Sequence, residues 1–418
     1  MKVLIRQAQI ISPSSPFNGQ TKDIFIVNGK IEKIADGINE KADQIIEQDG
    51  LCVSIGWMDI FADFGDPGFE NRENIDSGAR AAAAGGFTDV MLIPNSNPVV
   101  DNKAQVEYIV QKSKQVAVNI HPIGAVTKKS EGKELSEMYD MRQSGALAFS
   151  DGIHPIQNSG LLLKALQYVK SFDGQVIQLP DDRTIGTNGL MNEGIISTQM
   201  GLPGKPAMAE ELMVARDIKL ARYADSKLHF TGISSPKSLE YIKRAKEGGI
   251  QVSCSITPYQ VFFCDEDLQQ YDTNLKLDPP LRSRTDMMAL RKALTDGTID
   301  LIASHHLPQD WDCKTCEFEY AKHGMIALET MFAALMTIGY PVADYVKMQT
   351  VTARQLFGLP VPEIKEGETA SLTLFIPGAE FVYEEQMIKS KSKNSPFAGK
   401  KLKGKVIGII NKDKATLN

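Results

Sequence analysis

Trp57-Met-Asp-Ile-Phe-Ala-Asp-Phe-Gly-Asp-Pro-Gly68 is an apolar, strand-like approach that ends in acidic residues and a Pro-Gly turn. From residue 53 onward, short apolar runs alternate with helical stretches, the pattern of parallel strands joined by crossover helices. Eight such units can be counted. The strands are expected near Val53–Asp63, Thr88–Pro94, Ala117–Thr127, Ala146–Asp151, Gln175–Pro180, Lys227–Ser234, Ile250–Thr257 and Ile299–His306. Between them, Ile75–Ala84 is rich in good helix formers and Ala209–Tyr223 repeats apolar residues at helical spacing. Eight βα units running one way imply an α/β fold with a closed barrel. A further helix is expected over Val342–Phe357, stopped near Gly358 and Pro360.

Outside the barrel the period changes. Val3-Leu-Ile5, Asp23-Ile-Phe-Ile-Val27, the hairpin signal Asn28-Gly29 and Lys30-Ile-Glu-Lys-Ile34 read as a small sheet. Ala370–Ile376, Glu380–Tyr383 and Lys405–Ile410 answer it from the far end. Neither set has strands enough to bury a face by itself, so one β-sandwich built from both termini is the economical arrangement. The expected division is 1–52 plus 362–418 for the sandwich and 53–361 for the barrel. A chain of 418 residues accommodates both, since such a barrel takes roughly 250.

Composition narrows the function classes. No apolar run approaches the ~20 residues of a membrane helix, and the N-terminus Met1–Arg6 meets charge too early for a signal peptide. A cytoplasmic protein is expected. A net charge of -6 offers no broad cationic face for nucleic acid. Seven lysines fall between Lys389 and Lys405, but Ser, Gly and Pro interleave them, and a solvated loop and hairpin is the preferred reading. Cys52, Cys254 and Cys264 read as small buried apolar groups. Cys313 and Cys316 form a single Cys-x-x-Cys, which cannot close a structural zinc site; the weight of the sequence is against a metal or redox use.

Barrel enzymes carry their chemistry at the C-terminal ends of the strands. Those ends hold Phe61, Asp63 and Gly65; Asn95; Asp151; Leu179 and Asp181; Gly232; and His305 with His306. Around them lie Arg80-Ala-Ala-Ala-Ala-Gly-Gly-Phe87, Ile93-Pro-Asn-Ser-Asn-Pro98, Ala148-Phe-Ser-Asp-Gly152, Met191-Asn-Glu-Gly194, Lys276-Leu-Asp-Pro-Pro-Leu-Arg282, Asp296-Gly-Thr-Ile-Asp300 and Asn394-Ser-Pro-Phe397. In this order they resemble the dihydroorotases of the longer, bacterial-complex type, cyclic amidohydrolases of pyrimidine synthesis. The resemblance covers nearly the whole chain. It implies a distorted (β/α)8 TIM barrel with a β-sandwich from both termini, two zinc ions, and a dimer.

Carried over position by position, the implied zinc chemistry mostly fails. The family's first-strand Asp-x-His-x-His-x-Arg becomes Asp59, Phe61, Asp63 and Gly65. Its bridging Asp survives as Asp151, but its fifth-strand His is Leu179 and its sixth-strand ligand is Gly232 in His229-Phe-Thr-Gly-Ile-Ser-Ser235, leaving His229 as a structural member. The general acid and base of the eighth strand is His305 in Ser304-His-His-Leu-Pro-Gln309. Asn95 matches a substrate-binding Asn, and a second such position is Asp278, whose charge is expected to oppose a dianionic substrate. Phenyl, isobutyl and hydrogen side chains have no lone pair to offer zinc. Only Asp63, Asp151 and His305 remain as donors, enough for at most one divalent ion, and Phe61 with Leu179 is expected to plug the vacated volume.

Three readings follow. The first, and preferred, is a non-catalytic homologue without a cofactor that serves as an assembly partner of aspartate carbamoyltransferase, as metal-less members of the family do. The second is a cyclic amidohydrolase rebuilt around Asp63, Asp151, Asp181, His305 and His306, in which Asp151 and His305 form an acid–base pair. The third is a binding protein with no link to pyrimidines.

Overall fold

A computed structural model describes residues 1–418. Eight parallel strands follow one another around a single sheet: Trp57–Ala62, Phe87–Leu92, Asn119–Gly124, Ala148–Phe149, Val176–Gln178, Leu228–Phe230, Val252–Ile256 and Leu301–Ile302. Every expected barrel strand is present. The barrel closes where Ala62 bridges His306 in parallel and the Asp63 N–H donates to the His306 carbonyl at 2.8 Å. Strands four and eight are only two residues long, so the barrel is distorted.

The crossover helices begin at recognisable caps. Asn74 accepts from the Ser77 N–H ahead of Ile75–Ala84, and Ser283 accepts from Asp286 ahead of Arg284–Thr295. Met208–Ala224 and Pro236–Glu247 flank the later strands. The helix expected over Val342–Phe357 is interrupted: Val342–Lys347 passes through a wide turn at Met348–Thr352 into Ala353–Leu356. No helix is long and apolar enough to cross a membrane.

The strand expected over Val53–Asp63 is two strands. Cys52–Ile55 pairs antiparallel with Ser371–Val382 and parallel with Lys2–Ile10, which joins the two termini in one sheet. At Gly56 the chain leaves that sheet for the barrel, and a side chain there would run into Thr88. An unbroken apolar run conceals such a corner, because both halves are buried. The terminal sheet continues through Thr21–Val27, Lys30–Ala35, Lys401–Asn411 and Lys414–Leu417. Side chains from both ends of the chain, Val3, Ile24, Ile55, Leu372 and Ile410 among them, share one core, so a single sheet curls into the sandwich. At its hairpin, Asn28 and Gly29 both adopt left-handed backbone, as a two-residue turn of that kind requires.

The interior of the barrel is filled rather than open. Met58, Ile60, Phe61, Met91, Ile93, Ile123, Ala148, Ile177 and Ala303 pack together there, and Ala353 and Phe357 of the late helix join them.

Candidate functional site

The strand ends converge, and what they bring together is apolar. Phe61 is fully buried and its ring stacks on the His305 imidazole, with centroids 4.3 Å apart and planes inclined by 26°. Leu179 is buried beside them. Gly232 has left-handed backbone, and a Cβ there would lie 2.8 Å from His305 Cε1 and 2.9 Å from Leu179 Cδ1. Four of the expected ligand positions therefore do meet, as a packed cluster.

His305 is also engaged at its edge. Thr231 Oγ1 lies 2.7 Å from His305 Nε2, Ser255 Oγ lies 3.0 Å from Thr231 Oγ1, and His229 Nε2 lies 3.0 Å from Ser255 Oγ. Ser253 Oγ completes the line at 2.8 Å from His229 Nδ1. One direction of donation satisfies every member: Ser253 to His229, His229 to Ser255, Ser255 to Thr231, Thr231 to His305. Both imidazoles are then neutral, in keeping with burial, which pulls each down to about 3.

The surviving carboxylates are occupied as well. Asp151 accepts from the Thr127 N–H at 2.8 Å and from the Thr127 hydroxyl, and burial pushes it up to about 6. It is not hydrogen-bonded to His305, so the expected acid–base pair is not formed. Asp63 accepts from the Gly65 N–H at 2.7 Å, and burial raises it. Asn95, expected to bind substrate, donates to the Asp151 carbonyl and accepts from the Ile153 N–H, both at 3.0 Å. Its amide is used in holding the loop after strand four. No group of three His, Cys, Asp or Glu residues is arranged to hold a metal ion. The residues present do not fit the zinc pair, nor the single ion that Asp63, Asp151 and His305 had left open.

Comparison with known proteins places this arrangement. A sequence model described as "Dihydro-orotase-like" matches residues 51–238. A dihydroorotase of Syntrophus aciditrophicus is 38% identical over 97% of both chains, and one of Pelotomaculum thermopropionicum is 40% identical over 97% of this chain and 96% of its own. The chain belongs to the dihydroorotase family. Among solved structures, L-hydantoinase (dihydropyrimidinase) from Arthrobacter aurescens superposes with a TM-score of 0.86 at 20% identity, covering 100% of this chain and 96% of that one. Dihydropyrimidinase from Brevibacillus agri gives 0.83 at 18%, covering 100% and 95%. At such identities these two likenesses establish the fold.

In this dihydroorotase-family protein the polar part of the mouth lies to one side of the Phe61 cluster. A cavity of about 190 Å³ is lined by Asp181, Arg183, Lys205, Leu277, Asp278 and His323, among others. Lys205 Nζ is 2.9 Å from Asp181 and 2.6 Å from Asp278; Arg183 is 2.9 Å from Asp181 and 3.3 Å from Asp278. Burial works against ionisation of Asp278, but Lys205 and Arg183 outweigh it and hold the carboxyl below its ordinary value. The charge of Asp278 is thus compensated within the protein, not presented bare as expected. Lys205 gave no signal in the sequence. A two-strand pairing of Met191–Asn192 with Gly204–Lys205 brings it to the mouth from a connecting loop.

His306, the other histidine beyond the end of strand eight, has different partners from His305. Its Nδ1 accepts from the Ala327 N–H at 3.2 Å, and its Nε2 lies 3.7 Å from the buried Glu73 carboxylate. Glu73, unflagged by any motif, takes the hydroxyls of Ser77 and Ser390 and the N–H of Lys391. With Glu329, which accepts from the N–H groups of Lys389 and Ser390, it fastens the start of the lysine-rich segment to the barrel.

Proposed function

We propose that this chain is a dihydroorotase-family protein of pyrimidine biosynthesis that does not run the hydrolysis itself. It serves in the cytoplasm as a dimeric assembly partner of aspartate carbamoyltransferase. What carries the reading is the Phe61–His305 stack, sealed by the Thr231 bond, at the point where a metal hydrolase needs electron-pair donors. Opening or closing a cyclic amide requires a polarised carbonyl, an activated hydroxide and a group to move the proton. The donors left at the former ligand positions each accept a hydrogen bond within the protein: Asp151 from Thr127, Asp63 from the Gly65 N–H and His305 from Thr231. A barrel kept intact around a disabled site has its surface left to select for, and fold without site chemistry is no warrant for activity.

The test uses the full chain purified without chelator. Zinc and manganese should stay far below one equivalent, dihydroorotate should not turn over, and the transcarbamoylase of the same organism should co-elute at micromolar concentration. A stoichiometric ion or chelator-sensitive turnover ends the first half of the proposal; a clean failure to associate ends the second.

A second reading, a rebuilt cyclic amidohydrolase, draws on one observation: the cavity beside Lys205 and Asp278 offers a cation and two carboxylates at hydrogen-bonding range. Turnover of a cyclic amide that survives chelation and is lost in Lys205→Met favours it over the scaffold.

A further inference from the structure

The loop beyond the eighth barrel strand, Trp311-Asp-Cys-Lys-Thr-Cys-Glu-Phe-Glu-Tyr320, leaves its charges unanswered. Asp312, Glu317 and Glu319 are exposed and none is in an ion pair, whereas Glu266 of the preceding loop is held by Arg284 at 2.6 Å. The loop's own cation is withdrawn: Lys314 is buried, and its Nζ donates to the carbonyls of Thr273 at 2.8 Å and Lys322 at 2.7 Å. Trp311 and Tyr320 stand at the two ends of the loop, 75% and 78% exposed. Tyr271, also exposed, continues the aromatic surface, with its ring centroid 6.4 Å from that of Phe318. Acids alone keep a loop solvated; bare indole and phenol rings set among them make a surface for cations, which carboxylates and aromatic faces both attract.

The complementary charge lies at the same corner of the molecule. Lys389, Lys391, Lys393 and Lys400 are exposed and without an ion pair, while Lys401 of the same run is taken by Glu380 at 2.5 Å. Lys391 Nζ donates to the Glu70 carbonyl at 2.6 Å, and Lys393 Nζ to the carbonyls of Ile388 at 2.8 Å and Ser390 at 3.1 Å. Lys400 Nζ sits over the Phe263 ring, 5.4 Å from its centroid. Glu384 and Glu385 precede the run in the chain. Hydrogen bonds between remote residues root the two patches together. The Gln309 N–H, just before the acidic loop, donates to Asn394 Oδ1, within the lysine run, at 3.1 Å. Asn71 Nδ2 donates to Asp310 at 2.6 Å, one residue from the Glu70 that holds Lys391. The two patches thus adjoin, yet no lysine of the run is paired with an acid of the loop, and each keeps an uncompensated charge.

We propose that this corner is where two copies of the chain meet, the acidic aromatic loop of each docking the lysine run of the other across a two-fold axis. This gives a face to the dimer inferred above and rests on that reading for the dimer alone. Adjoining patches of opposite sign are what a two-fold contact needs, because the rotation sets each against the other and makes every contact twice. Trp311 and Tyr320 receive the lysine stems and ammonium groups of the second copy, as Phe263 already receives Lys400 within one chain. Exposed ion pairs add little affinity by themselves. The aromatic rings supply the buried area, and the charges fix the register and forbid acid-to-acid or lysine-to-lysine docking.

The experiment is light scattering and sedimentation of the full-length chain over a micromolar concentration series. A dimer is expected, and its dissociation constant should rise several-fold between about 50 mM and about 500 mM salt as screening shortens the reach of the charges. A triple reversal of the loop, Asp312→Lys with Glu317→Lys and Glu319→Lys, should be monomeric, as should a triple reversal of the run, Lys389→Glu with Lys391→Glu and Lys400→Glu. An equimolar mixture of the two variants should form a heterodimer, because one then carries two basic patches and the other two acidic ones; its formation also shows that both are folded. Trp311→Ala with Tyr320→Ala should weaken the wild-type dimer by ~10-fold or more. A dimer that survives either reversal overturns the proposal but leaves the dimer standing on another face. A wild-type chain that stays monomeric removes both, and if its acidic loop then captures the transcarbamoylase, the face belongs to that enzyme. A mixture that stays monomeric overturns the proposal as well.

Discussion

His305 lies face to face with Phe61, and its Nε2 takes the hydroxyl of Thr231 at 2.7 Å, so the imidazole is held by packing on one side and by a hydrogen bond at its edge. Truncating a fully buried phenylalanine typically costs ~3–5 kcal/mol. Phe61→Ala is expected to lower unfolding stability by about that amount in urea titrations. Phe61→His, which returns an imidazole to the first strand, should still purify without stoichiometric zinc by elemental analysis, because positions 179 and 232 supply no donor.

Gly232 tests the packing from the other side. Gly232→Ala combines left-handed backbone with a Cβ driven against His305 and Leu179, and a loss of about 2–4 kcal/mol is expected. Because Leu179 Cδ1 is one of the two obstructing atoms, Leu179→Ala should recover part of that loss. A double-mutant cycle in urea measures the coupling, and strict additivity would contradict the contact.

Acid should cost the fold the stability that its buried neutral histidines contribute. His229 and His305 titrate near 3 and His323 near 4 when folded, all lowered by burial, against about 6.5 in the unfolded chain. Their contribution is therefore complete above about 6.5 and is lost as pH falls through the folded values. Asp151 and Asp217, raised by burial to about 6 from an ordinary 3.8, act in the opposite sense and become less costly as pH falls from 6 to 3.8. Asp59, Asp63, Asp181, Asp265 and Glu329 are raised by burial as well and act with these two, so the histidine share is read by difference. Between pH 7.5 and pH 5 the urea midpoint of His323→Gln should fall less, or rise more, than that of the parent; an equal change in both would show that His323 is not held neutral.

Lys205 stands between two carboxylates. Lys205→Met leaves Asp181 and Asp278 facing each other with only Arg183 between them, and breaking a buried pair in this way costs ~3–5 kcal/mol. Adding Asp278→Asn to that variant should return much of the loss, as read from thermal melts.

Glu73 ties the barrel to the lysine-rich segment. Glu73→Ala removes the acceptor for Ser390 and the Lys391 N–H. Trypsin should then cleave at Lys389, Lys391 or Lys393 at least several-fold faster than in the parent, while the far-UV spectrum is retained. Unchanged cleavage would mean that Glu329, together with Asn394, whose amide donates to the Leu307 and Gly324 carbonyls, suffices to hold the segment.

Much of this was legible from residues alone. The eight strand positions were visible because buried parallel strands are apolar runs between turn formers, and the loss of donors at 61, 179 and 232 is a matter of residue type. The corner at Gly56 was not, since a run buried on both sides of a turn shows no change of pattern. Nor was Lys205, which reaches the mouth from a loop through a two-residue pairing.

The sequence by itself determined the barrel, the joining of the termini and the absence of a zinc ligand set, because periodicity and lone pairs are properties of the residues. Only the tertiary structure decided that Asp151 turns to Thr127 and not to His305, and that Asp278 is neutralised by Lys205. Each of these is a distance between residues remote in the chain, fixed by which donors and charges the fold leaves within reach.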